Sequence, residues 1–362
     1  MIPVAQPKFW GNEKKYVLDC FDRNWIAAGG NYCKDFEKTF AGFVGQKFGL
    51  STSSGTTALH LAILALGIKP GDEVIVPDVS FPATANAVLH SCAKPVFADL
   101  DPETFTISPE QIRAKITPKT KAIIPVHLYG HPAKMDEIME IAEEKGLFVV
   151  EDACQSLGSE YKGKKTGSIG TIGCLSFHAS KVVTTAEGGI LLTGDSEIAE
   201  RAQVIRDQGM KRDKIYWCSE IGYNYRMTNV QAAIGVAQME HISEIVEKKQ
   251  AQFKLYSKLF SEVKGVSTLE TLPQNKRVSC FYVVLLEPDF GMTRDQAAKM
   301  LKEKGIETRP VYYPFHSMPV YGTGSSGSDF PVSADFASRG IQIPFSMNLS
   351  KEQMEEVVNA FR

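Results

Sequence analysis

Between Phe48 and Glu151, short apolar runs of strand character alternate with stretches of helical period, and that rhythm leaves few folds open. The runs are Phe48–Thr52, Glu73–Pro77, Pro95–Asp99, Ala122–His127 and Phe148–Glu151, separated by helical patterns at Thr56–Leu66, Ala83–Ser91, Pro109–Lys115 and Met135–Lys145. A connection that contains a helix returns the chain to the same end of a sheet, so these strands pair in parallel through right-handed crossovers. From Ile169 onward the rhythm changes. Two closely spaced runs, Gly173–Phe177 and Gly189–Thr193, bring the sheet to seven strands, and this last pair is placed to break the parallel order. The expectation is an α/β fold with a mixed seven-stranded sheet flanked by helices.

Helical spacing also marks Glu13–Trp25 and Asp35–Val44, with a turn at Ala28–Asn31 between them. Glu197–Gln208 reads as a helix, and Asn229–Glu247 as one long helix running on to about Leu259. A helix of that length bridges domains. We therefore expect a large domain over 1–245 with an N-terminal arm over 1–25, and a small C-terminal α+β domain over 246–362. The small domain would hold strands Ser279–Leu285 and Glu307–Val311, helices Arg294–Lys304 and Lys351–Phe361, and a flexible loop at Gly322–Ser328. A chain of 362 residues can bury the cores this division needs.

Composition narrows the class. A net charge of −2 without a basic stripe gives no footprint for nucleic acid. The seven cysteines are scattered with no C-x-x-C pair, which argues against a disulfide framework and a zinc site; no metal is expected. The first residues lack the layout of a signal peptide, and no apolar run approaches the ~20 residues of a membrane helix. A cytoplasmic protein that binds no membrane is the expectation.

Three stretches can carry chemistry. Ser53–His60 sits where a strand gives way to a helix, so its amides and hydroxyls would face an anion at a helix N-terminus; taken alone it reads first as an ordinary Ser/Thr cap. Asp152 ends a buried-looking strand, where open α/β sheets bind ligands, although a strand-end Asp also caps turns. Lys181 follows the strand ending at Phe177, where a desolvated amine could attack a carbonyl, whereas most lysines are merely solvated. Together a phosphate cradle, an acid and a lysine on successive strand ends are the parts of a pyridoxal phosphate (PLP) site. The lysine forms the Schiff base, and the acid keeps the pyridine nitrogen protonated.

Eight stretches, in order, resemble the DegT/DnrJ/StrS family of sugar aminotransferases: Trp25–Gly29, Ser54–His60, Gly71–Pro77, Val126–Gly130, Glu151–Gln155, Ser176–Lys181, Glu187–Gly189 and Tyr223–Met227. The resemblance covers nearly the whole chain and implies the aspartate-aminotransferase-like fold, PLP-dependent transferase fold type I. It implies that Lys181 carries the cofactor and shuttles the proton, that Asp152 pairs with the pyridinium nitrogen, and that Gln155 approaches the ring hydroxyl. Phe81 would stack on the ring; on its own it reads as a core residue. Gly55, Thr56 and Ser176 would hold the phosphate, and Asn224 would reach it from the other subunit of a homodimer with shared sites. In dehydratases of the family a histidine replaces the lysine; here Lys181 is present, which favours transamination. His178, three positions earlier, either lines the sugar pocket or is a satisfied polar residue.

Lys214–Trp217, Arg309–His316 and Phe330–Ser333 resemble the GDP-perosamine synthases of that family. This implies amino transfer from L-glutamate to C4 of GDP-4-keto-6-deoxymannose, the cofactor cycling between PLP and its pyridoxamine form. Arg309, Tyr313 and His316 are then candidate nucleotide-sugar contacts, or else packing and surface residues of the small domain. The lysine loop, Ser-Phe-His-Ala-Ser-Lys, is more similar to other 4-keto-sugar aminotransferases, which leaves dTDP- and UDP-linked sugars open. A PLP-dependent dehydratase and a non-catalytic regulatory relative are the remaining readings.

Overall fold

A computed structural model describes every residue of the chain except 212, 215, 323 and 325. Ile215, within the Lys214–Trp217 stretch, and two positions of the Gly322–Ser328 loop thus lie outside the described residues. The strands are β1 Phe48–Thr52, β2 Glu73–Pro77, β3 Lys94–Ala98, β4 Thr120–Ile123, β5 Phe148–Asp152, β6 Glu160–Tyr161, β7 Lys164–Lys165, β8 Ile172–Ser176, β9 Gly189–Thr193, β10 Val266–Thr268, β11 Asn275–Lys276, β12 Tyr282–Leu286, β13 Arg309–Pro310 and β14 Gly340–Ile343.

The expected seven-stranded sheet forms in the order β1-β9-β8-β5-β4-β2-β3. Pairing is parallel from β3 through β2, β4 and β5 to β8, and antiparallel on both sides of β9. β9 is therefore the one reversed strand, and β1, β5 and β8 present their carboxyl ends at the same edge. Burial on both faces explains the unbroken apolar runs: all five residues of β2 and of β9 are buried. Helix Gly55–Ala65 is buried almost all round, so its sequence shows no one-sided apolar stripe. On the other face, Phe36, Phe40 and Phe177 pack ring against ring with centroids 4.4–5.0 Å apart.

A four-stranded antiparallel sheet, β10-β12-β14-β13, forms the core of the C-terminal part, as the α+β expectation required. Its strands β10 and β14 and helix Pro331–Arg339 had no clear sequence signal, being short and bounded by irregular chain. The expected continuous helix over 229–259 is corrected: helix Asn229–Met239 stops and helix Ile242–Phe260 begins afresh. At the break, His241 stacks on Trp10 at 5.5 Å, and the Glu240 carboxylate accepts from Tyr16 and Asn12, so the N-terminal arm occupies the corner. Apolar spacing continues across the break, which is why periodicity did not reveal it. The boundary expected near 245 falls in the first turn of the second helix.

Two buried histidines tie stability to pH. His60 Nδ1 meets the Tyr225 hydroxyl at 2.9 Å, and burial holds the ring's pKa at about 4, below its ordinary 6.5. His131 is held at about 3, first by burial and then by Arg277. Both are neutral in the fold, so the unfolded chain takes up their protons first as pH falls. Their contribution is complete above pH 6.5 and is lost progressively toward 4 and 3. We predict that denaturant unfolding at pH 5 shows about 2 kcal/mol less stability per histidine than at pH 7, and that His60→Gln removes one such share. An unchanged acid limb in that variant would refute the assignment.

Candidate active site

Because β1, β5 and β8 are parallel, Thr52, Asp152 and Ser176 end their strands along one edge of the sheet. Helix Gly55–Ala65 starts at that edge. Ser54 closes its first turn with a capping box, accepting from the Thr57 amide at 3.1 Å while its own amide donates to Thr57 Oγ1 at 3.0 Å. The amides of Gly55 and Thr56, at the positive end of the helix, remain as donors for an anion. Backbone and side chains approach closely here: a Cβ on Gly55 would lie 2.7 Å from Ser176 Cβ and 3.1 Å from Cys154 Sγ.

A cavity of about 400 Å³ opens at this edge. Gly55, Thr56 and Ser176 lie along it together with Asp152, Gln155 and Lys181, and so do Phe81, His178 and Arg309, nine of the twelve residues that the sequence had marked. Asp152 is 4% exposed and has no ion-pair partner among the described residues. Its Oδ2 accepts from Thr84 Oγ1 at 2.7 Å and its Oδ1 from the Cys154 amide at 3.2 Å; Thr84 in turn meets Ser80 Oγ at 2.9 Å. A buried carboxylate with two neutral donors and no counter-charge suits a cationic ligand group. Burial, with Asp152 next to it, pushes the Cys154 thiol well up, so this cysteine packs and does not act as a thiolate.

Lys181 belongs to the excursion between β8 and β9, closed by Phe177 N to Gly188 O at 2.8 Å and Thr185 N to Phe177 O at 2.9 Å. Its Nζ has no hydrogen-bond or ion-pair partner among the described residues and stands 5.8 Å from the Phe281 ring centroid. Phe81 is 53% exposed, an aromatic face free to receive a planar group, which sets aside its reading as a core residue. Gln155 is fixed by the Tyr129 amide, which donates to Oε1 at 3.1 Å.

His178 is exposed, with Nδ1 2.9 Å from Ser180 Oγ and Nε2 3.7 Å from Glu187. Arg309 pairs loosely with Glu307 at 3.3 Å. The remaining three candidates lie outside the cavity. Tyr313 is half-exposed with the Arg294 guanidinium 5.5 Å above its ring. His316 is buried against Asp78, its Nδ1 2.6 Å from Oδ2, and stacked on Phe330 at 4.9 Å. It holds the chain in place at this point. Asn224 is exposed and accepts from Arg226 at 3.2 Å. Conversely Thr84 and Gln342 serve the site without any sequence signal, and Tyr312, within the resembling stretch Arg309–His316, without an assigned role, since each is a common residue type whose role depends on its neighbours in space.

Comparison with known proteins agrees with this geometry. The model of the DegT/DnrJ/EryC1/StrS aminotransferase family matches residues 8–362. The chain is 41% identical over 360 residues to a GDP-perosamine synthase of Caulobacter vibrioides, covering 99% of this chain and 97% of that one. It is 42% identical over 354 residues to the GDP-perosamine synthase of Escherichia coli O157:H7, covering 98% and 95%. Streptococcus pneumoniae Spr1654 in its PLP form superimposes with a TM-score of 0.94 at 26% identity, covering 99% and 97%.

The tight cradle gives a prediction. Gly55→Ala should weaken PLP binding roughly ten- to a hundredfold in an absorbance titration, because the added methyl must displace Ser176 or Cys154. Gly42→Ala, at a position with nothing within 4 Å of the new Cβ, should bind PLP as the wild type does. Equal affinities in the two variants would show that the phosphate sits elsewhere.

Proposed function

Because the chain belongs to the DegT/DnrJ/EryC1/StrS aminotransferase family, we propose that it transfers the amino group of L-glutamate to C4 of a nucleotide-linked 4-keto-6-deoxy sugar. The sugar is GDP-4-keto-6-deoxymannose and the product GDP-perosamine. The observation that carries the reading is the pairing, at one cavity, of a lysine with a buried carboxylate, neither with an ion-pair partner among the described residues. The two GDP-perosamine synthases near 40% identity over almost the full chain support the GDP-sugar over dTDP- and UDP-linked ones.

The residues fit PLP. The Gly55 and Thr56 amides and the Ser176 hydroxyl would hold its phosphate, Asp152 its pyridine nitrogen, Gln155 its ring hydroxyl and Phe81 its face. When bound, this cofactor supplies an electron sink for the carbon next to the migrating nitrogen. Asp152, braced by Thr84, keeps a proton on the ring nitrogen. Lys181 Nζ takes a proton from the α-carbon of glutamate in one half-reaction and delivers one to C4 of the sugar in the other. The lysine stands where dehydratases of the family carry histidine, so amino transfer and not dehydration follows.

The cavity draws Asp152, Gln155 and Lys181 from the large domain, 1–245, and Arg309, Tyr312 and Gln342 from the small one, 246–362. His178 and Arg309 line it and are the substrate contacts we retain. A homodimer completes the site: Asn224 is exposed and does not line its own cavity, and Leu18, Phe21, Trp25 and Ile26, each 51–56% exposed, offer an apolar face for a second copy. The seven cysteines are all free, in keeping with a reducing, cytoplasmic setting.

The test is spectroscopic and then kinetic. Wild-type protein with PLP should show visible absorbance that glutamate bleaches, and Lys181→Ala should lose the lysine-linked band and at least a thousandfold of kcat. Parallel assays with GDP-, dTDP- and UDP-linked 4-keto sugars should give the highest kcat/KM for the GDP sugar. A preference for another nucleotide would overturn the substrate assignment, and retention of the band in Lys181→Ala would overturn the role of the lysine.

A further inference from the structure

Tyr129 is fully buried and holds a left-handed backbone conformation, φ 50° and ψ 33°, that a bulky side chain rarely adopts. Its amide, carbonyl and hydroxyl oxygen all take part in hydrogen bonds, three of them to residues that line the cavity. Its amide donates to Gln155 Oε1 at 3.1 Å, and its carbonyl accepts from Arg277 Nε at 3.0 Å. Its hydroxyl oxygen accepts from the Tyr312 amide at 3.1 Å and from Gln342 Nε2 at 3.4 Å. The ring lies parallel to that of Tyr312, 5.4 Å between centroids. Two of the partners, Gln155 and Gln342, are buried glutamines that line the cavity.

These bonds fix which end of each amide faces inward. With Oε1 of Gln155 taken by Tyr129, the end left for a ligand is its NH2, a donor. Gln342 is used the other way round: its NH2 donates to Pro310 O at 2.8 Å and to the Tyr129 hydroxyl, so Oε1, an acceptor, is its remaining polar atom. Tyr129 thus orients Gln155 through its backbone amide, whereas the Pro310 carbonyl sets the opposite sense of Gln342, which the Tyr129 hydroxyl buttresses at 3.4 Å. A donor suits an anionic ring oxygen on the cofactor side. An acceptor suits a hydroxyl, and a sugar is the substrate that brings hydroxyls.

Building on the aminotransferase reading above, we propose that Tyr129 is a positioning residue, its amide setting the polarity of Gln155 and its hydroxyl steadying the Gln342 amide that the Pro310 carbonyl orients, and that Gln342 is a specificity contact accepting a hydrogen bond from a sugar hydroxyl. The segment after Tyr312 is docked independently: the Phe315 amide donates to Asp78 O at 2.7 Å, and the Ser333 amide to Asp99 at 2.9 Å. Loss of the Tyr129 hydroxyl therefore retunes the contact without releasing the segment.

Two measurements on holoenzyme test the proposal. In a PLP titration followed by absorbance, Gln155→Glu keeps the size of the side chain and still accepts from Tyr129, but presents an acceptor to the ring oxygen; affinity should fall at least tenfold with a shifted visible band. Tyr129→Phe and Gln342→Leu should bind PLP within twofold of wild type and bleach with glutamate. Each should raise KM for the keto sugar that the wild type turns over fastest by roughly three- to tenfold, with kcat within twofold. The double variant should be no worse than the poorer single one, since both remove the same contact. Wild-type PLP affinity in Gln155→Glu, an unchanged KM in Gln342→Leu, or kcat and KM losses that add in the double variant would each overturn the proposal. A wild-type protein that neither binds PLP nor bleaches would instead sink the aminotransferase reading on which it rests.

Discussion

The site depends on one row of backbone pairing across the sheet. Thr52 of β1 and Ser176 of β8 both pair with Gly189 of the reversed strand β9. That row brings the start of helix Gly55–Ala65 and the end of β8 to the two sides of a single glycine. A Cβ on Gly189 would lie 2.3 Å from Ser54 O, so no other residue allows the strands to close at this point. Gly188 is confined as well, a Cβ there falling 2.3 Å from Thr185 Oγ1. The Glu-Gly-Gly stretch thus brings the anion cradle together, and the Lys181 excursion is the loop that links β8 to β9 around it. Reversal of a single strand costs the sheet little and lets the chain return to its starting edge within a dozen residues.

The same edge is divided between ligand and protein. At the ends of β1, β5 and β8 the polar groups turn toward the cavity. Past the ends of β2 and β3, the corresponding carboxylates, Asp78 and Asp99, hold the chain's own C-terminal segment. Asp78 accepts from the His316 amide at 2.9 Å and from its ring, and Asp99 accepts from Val332 and Ser333 at 2.6–3.1 Å. Burial pushes Asp78 up while the His316 contacts oppose it. These carboxylates hold the wall that carries Arg309, Tyr312 and Gln342 against the sheet edge that carries Asp152.

Legibility in the sequence followed the range of the physics involved. Strands such as Glu73–Pro77, recovered to the residue, are specified by local apolar runs; Asp152 and Lys181 were legible because they stand at or just after strand ends, and Ser176 only through the family resemblance. His316 and Tyr313 were marked by a resembling stretch and by residue type, and neither says which way a side chain turns. His316 turns toward Asp78, 238 positions away in the chain. Thr84 carried no signal and Tyr129 only a place in a resembling stretch, without a role, for the same reason: a threonine early in a helix and a tyrosine in a short turn look ordinary until their partners, 68 and 26 positions distant, are known.

The helix break at Glu240–His241 shows how a distant segment overrides local pattern. Spacing favours continuation through both residues. Continuation would remove the corner into which Trp10, Tyr16 and Asn12 pack, and with it the path of the N-terminal arm. That arm runs on through Lys8, whose carbonyl accepts from Gln238 at 3.0 Å, and Val4, whose carbonyl accepts from Phe345 at 3.0 Å, to Ile2, which pairs with Ile306. Residues 5–8 of the arm border the small cavity that also touches Lys181. The break is thus the bend that lets the first ten residues cross behind the lysine loop and tie the C-terminal sheet to the rest of the chain.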